Sequence, residues 1–153
     1  MNTNEKDIQD IKKFFNSYSK GFSSIYTEDD QSRSMFNKLM DKWFRKAVYR
    51  RYEITLSETQ KDSISTVLDV GCGPGHHTVA FLNQGKVVTA LDVADEMVDL
   101  TKEKVQKFDE NASCSYIVSD YMTHQFDEQF DAICVMGFFD YVSDPVTVLK
   151  KLL

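Results

Sequence analysis

At 153 residues, with 42% hydrophobic and 27% charged side chains, the chain has the length and composition of one globular domain. Its formal net charge of −6 argues against a general nucleic-acid binder, which would carry a basic balance. No apolar run approaches the roughly 20 residues of a membrane span, and the opening Met1-Asn2-Thr3-Asn4-Glu5-Lys6-Asp7 lacks the basic and apolar regions of a secretory signal. Cys72, Cys114 and Cys134 are scattered without C-x-x-C spacing, as expected of small buried thiols in a reducing cytoplasm.

Residues 5–20 place apolar side chains at 8, 11, 14, 15 and 18, the spacing of a helix that Gly21 ends. After a polar segment, a longer helix is expected from Gln31. Met35, Phe36, Leu39, Met40, Trp43, Phe44, Ala47 and Val48 fall on one wide apolar face, with Lys42, Arg45, Lys46, Arg50 and Arg51 largely off it. Those cations read either as a solvated helix side or as a site for an acidic substrate or partner. Polar residues 57–65 lead to a buried strand, Val67-Leu68-Asp69-Val70. Helices over 78–84, 94–108 and 146–153 and strands over 86–93, 113–119 and 131–137 then alternate, and Pro145 opens the last helix where its missing N–H is harmless. Strands alternating with helices predict right-handed βαβ units and an open parallel sheet. Residues 64–153 form that core, and residues 1–63 are expected as a helical extension or lid over its carboxyl edge.

The informative stretch is Asp69-Val70-Gly71-Cys72-Gly73-Pro74-Gly75-His76, where strand gives way to helix through three glycines. Glycines at this corner are expected to adopt positive φ and let a ligand lie directly on backbone N–H groups. The helix N-terminus that follows favours negative charge. A dinucleotide fingerprint, G-x-G-x-x-G, would need glycine at position 76, where His76 stands. Asp92 closes the second strand 21 residues after Gly71, beside the glycine turn, where an acid accepts hydrogen bonds from vicinal ribose hydroxyls. Val93 and Met97 are candidates to cover the nucleoside, with a core role as the alternative for Met97. His76 and His77 are adjacent, so on a helix their rings diverge and cannot share a metal; His124 is isolated, and no metal site is expected.

The spacing D-x-G-x-G-x-G resembles motif I of the class I, Rossmann-like S-adenosylmethionine-dependent methyltransferases. The resemblance covers about residues 64–153 and implies S-adenosylmethionine as cofactor, S-adenosylhomocysteine as product, and cofactor contacts from Asp69, Gly71, Cys72, Gly73 and Gly75. It implies that Asp69 faces the methionine ammonium and that Asp120 bonds the adenine amino group, with Tyr121 offering a ring surface. It also implies that the Met136 carbonyl holds the ammonium beside Gly137. Met136-Gly137-Phe138-Phe139-Asp140-Tyr141 lacks the Asn/Asp-Pro-Pro-Tyr/Phe signature of amino-directed nucleic-acid enzymes and the Pro-Cys of cytosine C5 enzymes. The absence of those two signatures disfavours only those two groups, and a small-molecule acceptor is the leading expectation beside the nucleic-acid and protein alternatives. Many small-molecule members carry His near position 140. Here Asp140, Tyr141 and Tyr18 are the candidates for the catalytic group. Tyr18 and Tyr26, in Gly21-Phe22-Ser23-Ser24-Ile25-Tyr26, are loosely similar to the aromatic lid of the magnesium-protoporphyrin and quinone-biosynthesis methyltransferases.

Complete members of the family continue with a fifth strand and an antiparallel pair. The resemblance therefore leads to the expectation of a truncated chain with an incomplete sheet of about four strands. The fourth strand would be an open edge that promotes homodimer formation. Two other functions fit the same residues: a non-catalytic cofactor-binding module, and a methyltransferase acting on nucleic acid or protein.

Overall fold

A computed structural model describes residues 8–16, 35–142 and 144–152. A first helix, α1, covers residues 8–16. It is followed by α2 (Met35–Thr59), β1 (Thr66–Val70), α3 (His76–Asn83), β2 (Val87–Asp92), α4 (Asp95–Phe108), β3 (Cys114–Val118), β4 (Ala132–Cys134), a 3₁₀ turn (Phe139–Tyr141) and α5 (Pro145–Leu152). Two boundaries differ from expectation. The fourth strand is three residues rather than seven, because the chain leaves the sheet before Gly137, which has positive φ. Helix α3 starts at His76 rather than Thr78, since Gly75 takes the left-handed conformation and serves as its N-cap.

The strands pair in the order β3-β2-β1-β4, all parallel, with Leu68 opposite both Thr89 and Ile133. This is the open Rossmann-like sheet expected from the sequence. Winding runs outward from β1 through β2 to β3, then reverses to place β4 on the other side of β1. The crevice at such a reversal, at the carboxyl ends of the strands, is where open α/β sheets bind ligands. Among the described residues β3 and β4 are the two edges.

Alternation along β1 sends Val67 and Asp69 to one face and Leu68 and Val70 to the other. On the first face Val67 packs with Phe81 and Leu82 of α3, Val88 and Val105, joined by Leu56 of α2. On the second, Leu68, Val70 and Leu91 pack with Tyr121 and with Val148 of α5. Polar clasps fix the strand register where the core does not. Asp131 Oδ2 accepts the backbone N–H groups of Ser65 (2.8 Å) and Thr66 (2.9 Å), so the entrances of β1 and β4 are tied together. Buried Lys86 donates to the carbonyls of Ile64 (2.7 Å) and Lys61 (3.2 Å).

Helix α2 lies beside α3 and runs in the same direction. Tyr52 meets His77 in the first turn of α3. Further along, Thr59 donates to Gln84 Oε1 (2.9 Å), and Gln84 Nε2 donates to Leu56 O (2.9 Å), at the end of α3. With 25 residues against 8, α2 is about 37 Å long and α3 about 12 Å. The N-terminal half of α2 therefore continues past the carboxyl edge of the sheet. No helix among the described residues is long and apolar enough to cross a membrane.

Phe81 is fully buried at the centre of the first core. Phe81→Ala is expected to lose about 3–5 kcal/mol of stability, read as a lowered midpoint in urea denaturation.

Candidate cofactor site at the strand tips

The glycine turn is built by positive φ at Gly71 (70°), Gly73 (52°) and Gly75 (76°), a region L side chains rarely adopt. Gly75 is also pressed against α4. A Cβ there would stand 2.9 Å from Thr101 Oγ1 and 3.1 Å from Thr101 Cα, so no side chain fits without moving backbone. Thr101 in turn donates to Gly73 O (2.7 Å). Position 73 differs: a Cβ on Gly73 would meet open space.

The turn's N–H groups are already engaged, which corrects the expectation of a ligand lying on them. Gly71 N (2.8 Å) and Cys72 N (3.0 Å) both donate to Leu91 O, Gly75 N donates to Cys72 O (3.0 Å), and Gly73 N donates to Asp92 Oδ2 (3.0 Å). The glycines shape the corner and lock it onto β2. The Cys72 thiol is buried, 3.6 Å from Thr101 Oγ1.

The three acids follow the neighbouring strands of the sheet: Asp69 in β1, Asp92 at the end of β2 and Asp120 in the loop just after β3. Asp69 is the penultimate residue of β1 rather than its last, and its side chain is buried. It accepts a hydrogen bond from Thr78 Oγ1 (2.7 Å), and Cys134 of β4 lies against it. Burial pushes the Asp69 carboxyl up to about 6, the Thr78 hydroxyl works against that, and the neighbouring Asp92 charge adds to it. Asp92 closes β2. Its Oδ1 accepts Ala94 N (2.9 Å) while Oδ2 accepts Gly73 N, and the Val93 N–H adds a third backbone donor. Burial still raises its carboxyl above the ordinary range. Three donors leave about one of its four acceptor positions open.

Asp120 lies two residues beyond β3 rather than at its end. Oδ1 accepts Met122 N (3.0 Å), whereas Oδ2 is buried with no hydrogen-bond partner. A buried carboxylate oxygen left unpaired is costly, and Asp120 carries an unmet demand for a donor. The set suits a ligand with a cationic centre and several hydrogen-bond donors.

The other predicted residues fall into two groups. Val93 is partly exposed next to Asp92, and Met136 sits at the end of the β4 loop, its Sδ 3.7 Å from Thr55 Oγ1 of α2. Met97 is 1% exposed, so its side chain belongs to the core. Tyr121 is corrected: its ring is 2% exposed and packs with Phe126, Phe138 and the second core, so it offers no open surface. Tyr141 is exposed, in the 3₁₀ turn with Asp140. Tyr18 and Tyr26 lie outside the described residues.

One feature escaped the sequence reading. Phe138 approaches the turn, 3.6 Å from a Cβ placed on Gly71. Helix α1 spans the crevice: Lys12 (3.0 Å) and Asn16 (3.1 Å) reach Asp95 at the start of α4, and Phe15 meets Tyr141 edge-on with centroids 5.1 Å apart. The histidines diverge as expected. His76 lies against Lys104 of α4, and burial followed by that charge lowers it to about 4; His77 is lowered by burial beside Tyr52.

The shift at Asp69 fixes a sign. The folded state holds this proton more tightly than the unfolded chain, so ionising Asp69 costs stability as pH rises from 3.8 to about 6. His76 and His77 act in the opposite sense, losing stability as pH falls below 6.5. A difference measurement isolates the acid: the stability of the native chain minus that of Asp69→Asn should fall by roughly 2 kcal/mol between about pH 4 and pH 6.5. Chemical denaturation across that range checks it.

The chain matches the methyltransferase domain family over residues 67–153. A probable cobalt-precorrin-6B C(15)-methyltransferase (decarboxylating) of Thermoplasma acidophilum is 34% identical over 87 residues, covering 55% of this chain and 43% of that protein. A ubiquinone biosynthesis O-methyltransferase of Coxiella burnetii is 32% identical over 86 residues, covering 56% and 36%. The chain thus spans less than half the length of these relatives. The magnesium protoporphyrin IX methyltransferase of Synechocystis with bound SAM shares the fold, with a TM-score of 0.62, 18% identity, and coverage of 83% of this chain and 60% of that one. An S-adenosyl-L-homocysteine complex of a Thiobacillus denitrificans methyltransferase also shares it, with a TM-score of 0.57, 20% identity, and coverage of 67% and 42%. By that match, over more than half its length, the chain belongs to the methyltransferase domain family.

Proposed function

We propose that the chain is the S-adenosylmethionine-binding core of a methyltransferase acting on a small molecule. The observation that carries this reading is the buried, partnerless Asp120 Oδ2, set in line with Asp69 and Asp92 along the tips of β3, β1 and β2. In this reading Asp120 receives the adenine amino group and Asp92 gives its remaining acceptor position to a ribose hydroxyl. Asp69, destabilised as an anion by burial, gains from the ammonium nearby, with the Met136 carbonyl on the other side. The backbone of Gly71, Cys72, Gly73 and Gly75 forms the floor, and Val93 borders the nucleoside. When bound, the sulfonium supplies an already activated methyl group. The protein's task is then in-line positioning and acceptance of one proton from the nucleophile. Asp140 and Tyr141, in the 3₁₀ turn after β4, take that role in this reading.

The small-molecule acceptor is supported by relatives named for cobalt-precorrin-6B, ubiquinone biosynthesis and magnesium protoporphyrin. Residues 8–16 act as a roof over the crevice, pinned at Asp95 and Tyr141, and with the rest of 1–63 form the acceptor-side extension. Self-association is part of the reading too, supported by β4 as a sheet edge and by Val146 and Leu149, both more than half exposed on α5.

Asp92→Ala should weaken S-adenosylhomocysteine binding by about 1–3 kcal/mol in titration calorimetry; unchanged affinity would remove Asp92 from the site. Sedimentation at tens of micromolar should show dimer, and a clean monomer would sink the edge pairing.

A further inference from the structure

Helix α2 concentrates positive charge in an acidic chain. Residues 35–51 hold six cations and one acid, Asp41, a net of +5 where the whole chain carries −6. Lys38, Lys42, Lys46 and Arg50 follow one another at every fourth residue. Within a helix that ladder is unfavourable, because like charges at i,i+4 repel and cations near the N-terminus oppose the dipole. Lys46 and Arg50 are exposed, and no acid pairs with either among the described residues. The ladder therefore answers to something outside the domain.

The apolar side of the same stretch points to what that is. In the C-terminal half of α2, Tyr52, Leu56 and Thr59 face α3 and the first core. Ile54 stands on the opposite side of the helix and is 52% exposed. Phe36 precedes Ile54 by 18 residues, about five complete turns, so the two positions share a side of the helix. Trp43 and Ala47, 11 and 7 residues before Ile54, fall on that side as well. The apolar side of the first half thus runs away from α3 and next to the ladder, where α2 continues past the carboxyl edge of the sheet. Tyr49, 58% exposed, stands among the cations. A helix with an apolar side, a cationic flank and aromatic residues between them lies in the interface of an anionic bilayer. A nucleic acid would use the cations and leave the apolar side unmet.

We propose that the N-terminal half of α2 is a peripheral membrane anchor for a bilayer rich in anionic lipid, with Trp43 at the acyl boundary and the ladder on the headgroups. The crevice at the carboxyl edge is then held at the lipid surface. This holds whichever ligand fills the glycine corner.

Trp43 is the single tryptophan of the chain and reports the contact directly. The full chain is mixed with vesicles of phosphatidylserine and phosphatidylcholine, and with vesicles of phosphatidylcholine alone. Co-sedimentation and a blue shift of the Trp43 emission are expected with the first only, both weakened by high salt. Lys42→Gln combined with Lys46→Gln should lower partitioning about 30-fold. Lys107→Gln combined with Lys150→Gln, exposed cations on α4 and α5, should leave it unchanged. The anchor is overturned if neither vesicle binds, if both bind equally, if the two double variants lose equally, or if vesicles bind while the Trp43 emission stays put. A shift produced by a duplex oligonucleotide and not by vesicles overturns it in favour of a nucleic acid. A shift that grows with protein concentration in the absence of lipid, with no response to vesicles, overturns it in favour of a second copy. A melting temperature of the α2 double variant equal to the native value ties its loss to binding; should it be lowered, the salt dependence and Trp43 shift of the native chain decide.

Discussion

The grip of the Asp92 carboxylate on the backbone is the constraint from which the site follows. One oxygen takes the N–H of Gly73 in the turn after β1, and the other takes that of Ala94 at the entry to α4. Two successive βαβ units are joined at one side chain, and the glycine corner is closed before any ligand arrives. The positive φ values at Gly71, Gly73 and Gly75 let the backbone reach that carboxylate. Gly75 is the least replaceable of the three, because Thr101 occupies the space where its side chain would stand.

Closing the corner with acids has an electrostatic cost. Asp69 and Asp92 are both buried, within reach of each other's charge, and both are raised above the ordinary carboxylate range. Thr78 offsets part of this for Asp69, and backbone N–H groups do so for Asp92. Two partly compensated anions side by side favour an incoming cation over a neutral or anionic ligand, because the cation relieves a penalty that folding has already imposed. The buried oxygen of Asp120 adds an unmet demand for a donor at the third strand tip. The electrostatics of the corner thus favours a cationic ligand that brings hydrogen-bond donors.

Most of the sheet could be read from local pattern. The β-branched run of β1, the break at three glycines and the acid ending β2 are short-range signals, and the structure places them as their spacing implies. The course of the side chains was harder to read. Tyr121 follows Asp120 and looked like a platform for a ring, but alternation and the inward turn after β3 bury it with Leu68 and Val70. The turn's N–H groups looked open because their partner, Leu91 O, lies some twenty residues away on another strand. The parallel course of α2 along α3 was illegible for the same reason. It is set by Gln84 reaching Leu56 and Thr59, and a lone glutamine near the end of a short helix carries no such signal. Positions 140 and 141 stayed ambiguous because a proton acceptor is defined by its partner.

Lys151, near the end of α5, donates to the carbonyls of Met122 (3.0 Å) and His124 (2.6 Å) and lies over the Tyr121 ring at 5.1 Å. Helix α5 follows β4 on one margin of the sheet, while Met122 and His124 follow β3 on the other. A single lysine therefore fastens α5 to the β3–β4 connection on the face that carries Leu68 and Val70. The strands are held by more than their own ladders: the crossover from β3 to β4 and the helix after β4 are pinned to each other over the central strands, so the cover on that face moves as one piece.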